Sequence, residues 1–508
     1  DILPGSSTQP AEESSLRRLD HGLEIVSRIK ARAFFALAKS EPPAAEGEVP
    51  VLIYNPHPFR VRGVFECEFQ PYEINWSGRY LFPQAYRNGR PLPSQAEKEV
   101  SNLNVEWRKK VVFAAELAPS QMNRFACRLI KRSARPAPSL QAEKGKIHFL
   151  TQDLDVVINS GTGLMDRYSV NGIEFLAPGA FRPVVMHDSA DPWAMTAKQF
   201  RDPAGVFELM PAETARRVSG ITSGLAGPVR IIEDGAVRTV VEAVLGFGRS
   251  VIFSRYKIPK TGSEIEVELR VHWNEKDKML KLAVPTGLEN GRYIGQVAYG
   301  IGELPADGSE AVAQKWVAVV SEERNAALTC INNGTYGSDF IGGELRLSLL
   351  RSAAYSADPV PSGPMVAQDR HIPRIDQGER LFRFWISGGR RTTRLTAIDR
   401  EALVRNENPF ALAFFPAGQG KAPKPFLELS DAAVQVGALK KAEDSNDLVI
   451  RLFEPTGRKR RTTISLPWAG ATKTISLSPF EILTLKFNPR TRRFLKTDLL
   501  ERPLDDKA

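Results

Sequence analysis

The stretch SEIEVELRVHW, residues 263–273, decides the fold. Ile265, Val267, Leu269, Val271 and Trp273 alternate without a break with Glu264, Glu266, Glu268, Arg270 and His272. Successive side chains of a strand point to opposite faces, so one face belongs to a core and the other is wet or charged. Strand-like apolar runs of the same kind follow outward in MLKLAV (279–284), ELRLSLL (344–350), LFRFWI (381–386), LVIRLF (448–453) and FEILTL (480–485). Gly and Asn punctuate the runs, as in SGTG (160–163) and VNG (170–172), which are hairpin signals. Upstream, VLIYN (51–55), GVFECEF (63–69) and RFACRLI (124–130) read the same way. No short internal repeat is present. The chain is mainly β, of sandwich type.

One segment departs from that period. Between Pro10 and Lys39 the apolar residues Leu16, Leu19, Leu23, Val26, Ile29, Ala33 and Leu37 recur every three or four positions and share one helical face. Thr8 or Gln9 stands at the N-cap, Pro10 suits the first helical position, and Glu12 and Glu13 suit the positive end of the helix dipole. An isolated amphipathic helix needs partners. Nothing nearby supplies them, so this helix is expected to be the end of a bundle and to show bare apolar surface.

Pro-rich linkers at 41–50 and 133–146 divide the rest. The expected organisation is residues 1–40 as the end of a helical bundle and 50–132 as a small β domain. Residues 147–400 form a large β-sandwich domain and 401–508 a C-terminal β domain.

The totals narrow the function classes. The 508 residues are 42% hydrophobic and 25% charged, ordinary values for a folded protein with several cores. No apolar run approaches the roughly 20 residues that span a bilayer, so no membrane partner is expected. The net charge of +10 is scattered, with one tight cluster at Arg458, Lys459, Arg460 and Arg461. That cluster follows the turn signal FEPTG between two strand-like runs and reads as a solvated hairpin tip; no aromatic platform accompanies it, so nucleic acid is not the expected partner. Cys67, Cys127 and Cys330 lie in apolar strand contexts without a Cys-x-x-Cys spacing and read as buried free thiols of a reducing, cytoplasmic compartment.

Local motifs do not mark an enzyme. The histidines His21, His57, His148, His187, His272 and His371 form no metal-ligand pair, and no phosphate loop or nucleophile elbow is present. Three stretches are nevertheless unusual. HDSADPW (187–193) sets Asp188, Asp191 and Trp193 in one short segment, and carboxylates with an indole face suit a sugar; the alternative is an acidic turn whose Trp193 caps the core. CINNGTYGSDFIGGELRLSLLRSAAY (330–355) ends a strand on Arg351, which either clamps a ligand's oxygens or pairs structurally. In DRHIPRIDQGERLFRFWI (369–386), His371 and Asp376 read as turn-stabilising residues.

Taken in order, SGTGLMDRYSVNG, HDSADPW, ELRVHWNEKDKMLKLAVP, ALTCINNGTYGSDFIGGELRLSLLRSAAYS and SPFEILTL resemble the C-terminal half of the α-mannosidases of glycoside hydrolase family 38. The likeness covers most of residues 147–487. It implies a large supersandwich of galactose-mutarotase-like type with smaller β domains, behind a remnant of the family's helical bundle. The opening DILPGSS resembles the family's His-Asp motif starting at its aspartate, with the histidine, a zinc ligand, expected just before Asp1. By this resemblance the N-terminal catalytic domain, with its nucleophile and zinc, lies outside the chain.

What carries over is residue by residue. Asp1 matches an aspartate that contacts the mannose hydroxyls. Trp193 matches an aromatic pocket position, usually Tyr, and retains a stacking or wall role without the phenolic hydroxyl. Arg351 matches an arginine at the strand end near the pocket. Asp188 and Asp191 are added as substrate-binding candidates on chemistry alone. The implied reaction is hydrolysis of terminal α-linked mannose with retention, on a mannose-containing oligosaccharide, with zinc in the complete enzyme and none bound by this chain alone. A homo-oligomer is compatible with this. The other reading is a non-catalytic carbohydrate-binding β-sandwich.

Overall fold

The computed structural model describes residues 7–99, 107–188, 197–221, 227–288, 290–355 and 369–504. Strand Ile265–Trp273 sits inside a ten-stranded antiparallel sheet, paired with Ser250–Pro259 on one side and Gly378–Arg390 on the other. Ile265, Val267, Leu269, Val271 and Trp273 are all buried, so the alternation in the sequence marks the inward face correctly. A six-stranded sheet packs on it. There Arg182–His187, Lys278–Pro285, Glu344–Arg351 and Gly337–Ile341 lie side by side. One continuous core fills the space between the two sheets, with Val267 and Leu269 from the first and Leu280, Leu282, Leu345 and Leu347 from the second. The protein is mainly β with a large sandwich at its centre, as expected.

The outer face of the ten-stranded sheet is less wet than alternation alone implies. Arg230, Glu242, Arg255, Glu268 and Arg383 are register partners on five successive strands, so cations and carboxylates alternate across the sheet. Arg255 reaches Glu242 at 2.8 Å and Glu268 at 3.4 Å, and Arg383 reaches Glu268 at 3.1 Å. Opposite charges on directly facing positions support a sheet. Glu268 is buried on this ladder, although the period of two placed it among the wet or charged positions.

Two smaller cores flank the sandwich. Val51, Ile53, Phe65, Val111, Phe113 and Phe125 belong to one, and Leu427, Ile450, Leu452, Ile464, Leu483 and Phe487 to the other. Strand Phe410–Ala413 extends the first of these regions by pairing with Val49–Asn55. Cys67, Cys127 and Cys330 are free and buried.

The helix Gln9–Ala38 forms as the periodicity requires, with Thr8 at its N-cap and Pro10 in its first turn. Leu16, Leu19, Leu23, Val26 and Ile29 stand exposed, and its buried residues are Phe34 and Ala38 at the far end. A second long helix, Arg391–Asn406, escaped the sequence reading. Its buried residues include Arg394 and Asp399 among Ile398, Ala402 and Leu403. The face it lays on Trp316, Ile331 and Trp385 is therefore partly polar and leaves no clean apolar stripe.

The basic cluster at 458–461 also needs a correction. Strand Leu448–Phe453 and strand Arg460–Leu466 lie in different sheets, so the turn between them is a sandwich corner and not a hairpin tip. Arg458, Lys459 and Arg461 are exposed as expected, whereas Arg460 turns inward to Glu454 at 3.2 Å and Asp431 at 3.2 Å.

Candidate functional site

Three neighbouring strands of the six-stranded sheet end or begin at one place: Arg182–His187 ends there, Lys278–Pro285 begins there and Glu344–Arg351 ends there. Backbone hydrogen bonds tie the residues just beyond. Asp188 N–H donates to Asp277 O at 3.1 Å, Asp277 N–H to Ser352 O at 2.9 Å, and Ser352 N–H to Lys278 O at 2.9 Å. The strand period therefore delivers Asp188, Asp277 and Arg351 to a common edge although nearly ninety residues separate the first two in sequence.

Side chains then lock that edge. Arg351 donates from Nε to Asp188 Oδ2 at 2.8 Å and from Nη2 to Asp188 Oδ1 at 2.8 Å, a two-point pair that fixes the guanidinium plane. Arg374 makes the same arrangement with Asp277, at 2.8 and 3.0 Å. The Arg351 guanidinium also lies over the ring of Phe200, 4.9 Å from its centroid. The Arg351 N–H donates to Asp376 Oδ2 at 3.3 Å. Burial pushes the Asp376 carboxyl above its ordinary pKa, the hydrogen bond from the Arg351 amide and the charge of Arg380 oppose this, and the charge of Glu12 adds to it.

Of the residues singled out in the sequence, Asp188 and Arg351 are thus brought together, against each other. The Asp188 side chain is fully buried while that of Arg351 is 18% exposed, so the aspartate anchors the arginine and fixes its plane. Asp1, Asp191 and Trp193 lie outside the described residues. His371 is exposed, with Nδ1 3.4 Å from Lys276 Nζ, and Asp376 adopts a left-handed turn conformation, φ 55°. Asp277, Arg374 and Tyr355 were not singled out. Asp277 and Arg374 sit in the turn-like stretches NEKDK and HIPRID, and nothing local says that these two turns meet.

Chemically, the site offers a guanidinium with a fixed plane, a group whose donors match hydroxyl or carboxylate oxygens. Among the described residues no group of three or more His, Cys, Asp and Glu side chains converges to hold a metal ion. A separate cavity of about 1210 Å³, lined by Glu66, Arg238, Lys257, Trp385, Arg400 and Ser430 among others, opens between the small β region, the ten-stranded sheet and the C-terminal strands. Neither Asp188 nor Arg351 lines it.

Comparison with known proteins agrees with the ordered resemblance. The family model "Glycosyl hydrolases family 38 C-terminal domain" matches residues 198–361, and "Glycosyl hydrolases family 38 C-terminal beta sandwich domain" matches residues 433–485. Alpha-mannosidase G of Dictyostelium discoideum is 24% identical over 307 residues, 52% of this chain and 26% of its own length. Alpha-mannosidase 2C1 of Mus musculus is 24% identical over 249 residues, 46% of this chain and 22% of its own length. The chain thus spans about a quarter of these curated relatives. A solved protein in the glycosyl hydrolase family 38 from Enterococcus faecalis superposes with a TM-score of 0.72 at 15% identity, covering 95% of this chain and 64% of that one. An alpha-mannosidase from Enterococcus faecalis V583 does so with a TM-score of 0.69 at 15% identity, covering 95% and 61%. The likeness is to the C-terminal part of family-38 α-mannosidases.

Proposed function

From a chain that carries two family-38 C-terminal domains in order, we infer the C-terminal portion of a retaining, metal-dependent α-mannosidase that hydrolyses terminal α-linked mannose. Its contribution is a set of pocket residues that complete a site whose nucleophile, acid and zinc belong to the rest of such an enzyme. The observation that carries this reading is the ordered pair of domain matches, with the Asp188–Arg351 clamp at the strand end where the resemblance expects a pocket arginine.

In the reaction so proposed, a carboxylate attacks the anomeric carbon and forms a glycosyl ester. The leaving oxygen takes a proton from a carboxylic acid, and water then returns the sugar with its configuration retained. This chain's part is positional: Arg351, held flat by Asp188, donates hydrogen bonds to substrate oxygens, and Trp193 and Asp1 line the same sugar, with Asp191 beside them. Zinc, when bound in the complete enzyme, supplies Lewis-acid contacts to the sugar hydroxyls. The natural ligand is then a mannose-containing oligosaccharide in a cytoplasmic setting, and no helix among the described residues is long and apolar enough to cross a membrane.

The test has two halves. With an aryl α-mannoside and added zinc, the 508-residue chain alone is expected to show no turnover. Extended by its own upstream coding sequence it is expected to turn over, and Trp193→Ala or Arg351→Ala is expected to lower that activity. Wild-type kinetics in both variants would remove these residues from the pocket. Metal-free binding of mannose by the chain alone, measured by calorimetry, would favour the carbohydrate-binding module instead.

A further inference from the structure

Among the described residues, the helix Gln9–Ala38 meets the body of the protein near both of its ends. Near its C-terminal end Phe34 is buried edge-on against Phe410, with ring centroids 5.0 Å apart, and Lys30 lies 4.6 Å from the centre of the same ring. Near its N-terminal end Tyr355 donates its hydroxyl hydrogen to Glu12 Oε2. Glu12 and Phe34 are separated by about 33 Å of helix at 1.5 Å per residue. Between them Leu16, Leu19, Leu23, Val26 and Ile29 stand exposed, so apolar burial does not hold the first half of the helix down.

Tyr355 is placed by the arginine site itself. It follows Arg351 by four residues, and its neighbour Ala354 forms a bridge with Arg374, whose guanidinium holds Asp277. Burial and the neighbouring Glu12, Asp376 and Glu13 carboxylates push the Tyr355 hydroxyl above its ordinary pKa, which keeps it a proton donor. The Glu12 N–H in turn donates to Thr8 O at 3.1 Å, so the chain enters the helix one turn away from this contact.

We propose that Tyr355 is a latch and a positioning residue: its hydrogen bond to Glu12 fixes the first turns of the helix against the strand end that carries Arg351. The latch is read from contacts alone, whereas its consequence for catalysis rests on the proposed function. Hydrogen exchange of the 508-residue chain decides the first part. Tyr355→Phe and Glu12→Ala are each expected to speed exchange in residues 9–16 by about 10-fold while leaving the turns around Phe34 unchanged. Alanine is the better helix former, so a gain in exchange on Glu12→Ala does not come from intrinsic propensity. Glu13→Ala removes the adjacent carboxylate, which pairs with Gln9 and Arg17 and makes no hydrogen bond to Tyr355, and serves as the control, expected to raise exchange far less than about 10-fold. Unchanged exchange in Tyr355→Phe and Glu12→Ala, or an equal rise in Glu13→Ala, overturns the latch.

In the chain extended by its own upstream sequence, Tyr355→Phe is expected to lower kcat about 10-fold with KM little changed, as misplacement without loss of binding contacts does. Faster exchange with unaltered kcat overturns the positioning role and keeps the latch. Absence of turnover in the extended wild type removes the proposed function and the positioning role together, and leaves the exchange result standing.

Discussion

Asp188 and Arg351 lie in an unequal pair: the aspartate side chain has no exposed surface, the arginine keeps 18% of its own, and two bonds of 2.8 Å join them. The inequality makes the aspartate the buried anchor of the pair. It also sets what happens when either is removed.

Removing the arginine takes a two-point partner from a buried carboxylate. Arg351→Met is expected to lower unfolding stability by about 3–5 kcal/mol, the range for breaking one side of a buried ion pair. Arg351→Lys keeps the charge but loses the two-point geometry, and is expected to lose less. Urea unfolding followed by tryptophan fluorescence measures both. Equal midpoints for Arg351→Met and wild type would show that Asp188 finds water or a proton without cost.

The cysteines give a second expectation. Burial pushes the Cys67 and Cys127 thiols up to about 12 and raises Cys330 as well, so none is a thiolate at pH 8. Reaction with an aromatic disulfide reagent at pH 8 is expected to be slow in the native protein, with three equivalents appearing on denaturation. Rapid release of one equivalent from the folded chain would contradict the burial.

These thiols were legible in the sequence because apolar strand context alone predicts burial. So was the inward face of Ile265–Trp273, since a period of two has one meaning. The helix Arg391–Asn406 was not legible, because Arg394 and Asp399 occupy buried positions where apolar residues were sought. Asp188 was legible as one of two acids in HDSADPW suited to a sugar, but not as the partner of an arginine far along the chain. What joins Asp188 to Asp277, and Tyr355 to Glu12, is contact between residues far apart in the chain, which no local pattern records.

The corner at 454–460 makes a third test. The Glu454 carboxylate is fully buried and accepts the N–H groups of Thr456 at 2.9 Å, Arg458 at 3.1 Å and Phe480 at 3.2 Å. Burial opposes its ionisation, but these bonds and the Thr456 hydroxyl outweigh that and hold its pKa below the ordinary value. A depressed carboxylate contributes stability that is present above its unfolded pKa and is lost as pH falls through the folded one. Glu454→Gln is therefore expected to cost about 2–3 kcal/mol at pH 7 and progressively less toward pH 3, as the wild-type group protonates. A deficit that does not shrink with acid would place the cost in shape and not in charge.

Asp399 runs the other way. Its Oδ1 accepts the Gln296 amide at 2.9 Å and the Trp316 indole N–H at 2.9 Å, while Oδ2 is buried without a partner. Burial pushes its pKa up to about 6, the two hydrogen bonds oppose this, and the Glu454 carboxylate adds to it. The folded chain then holds a proton between about pH 4 and 6 that the unfolded chain has released, so stability falls as pH rises through that window. The full penalty above pH 6 is about 3 kcal/mol, at 1.36 kcal/mol for each pH unit of displacement. Asp399→Asn keeps an acceptor for Gln296 and Trp316 and has no charge to lose, so its stability relative to wild type is expected to rise by up to about 3 kcal/mol from pH 4 to above pH 6. Unfolding midpoints at pH 4, 5, 6 and 7 for both proteins decide it: parallel curves would mean that Asp399 ionises in the fold as easily as in the open chain.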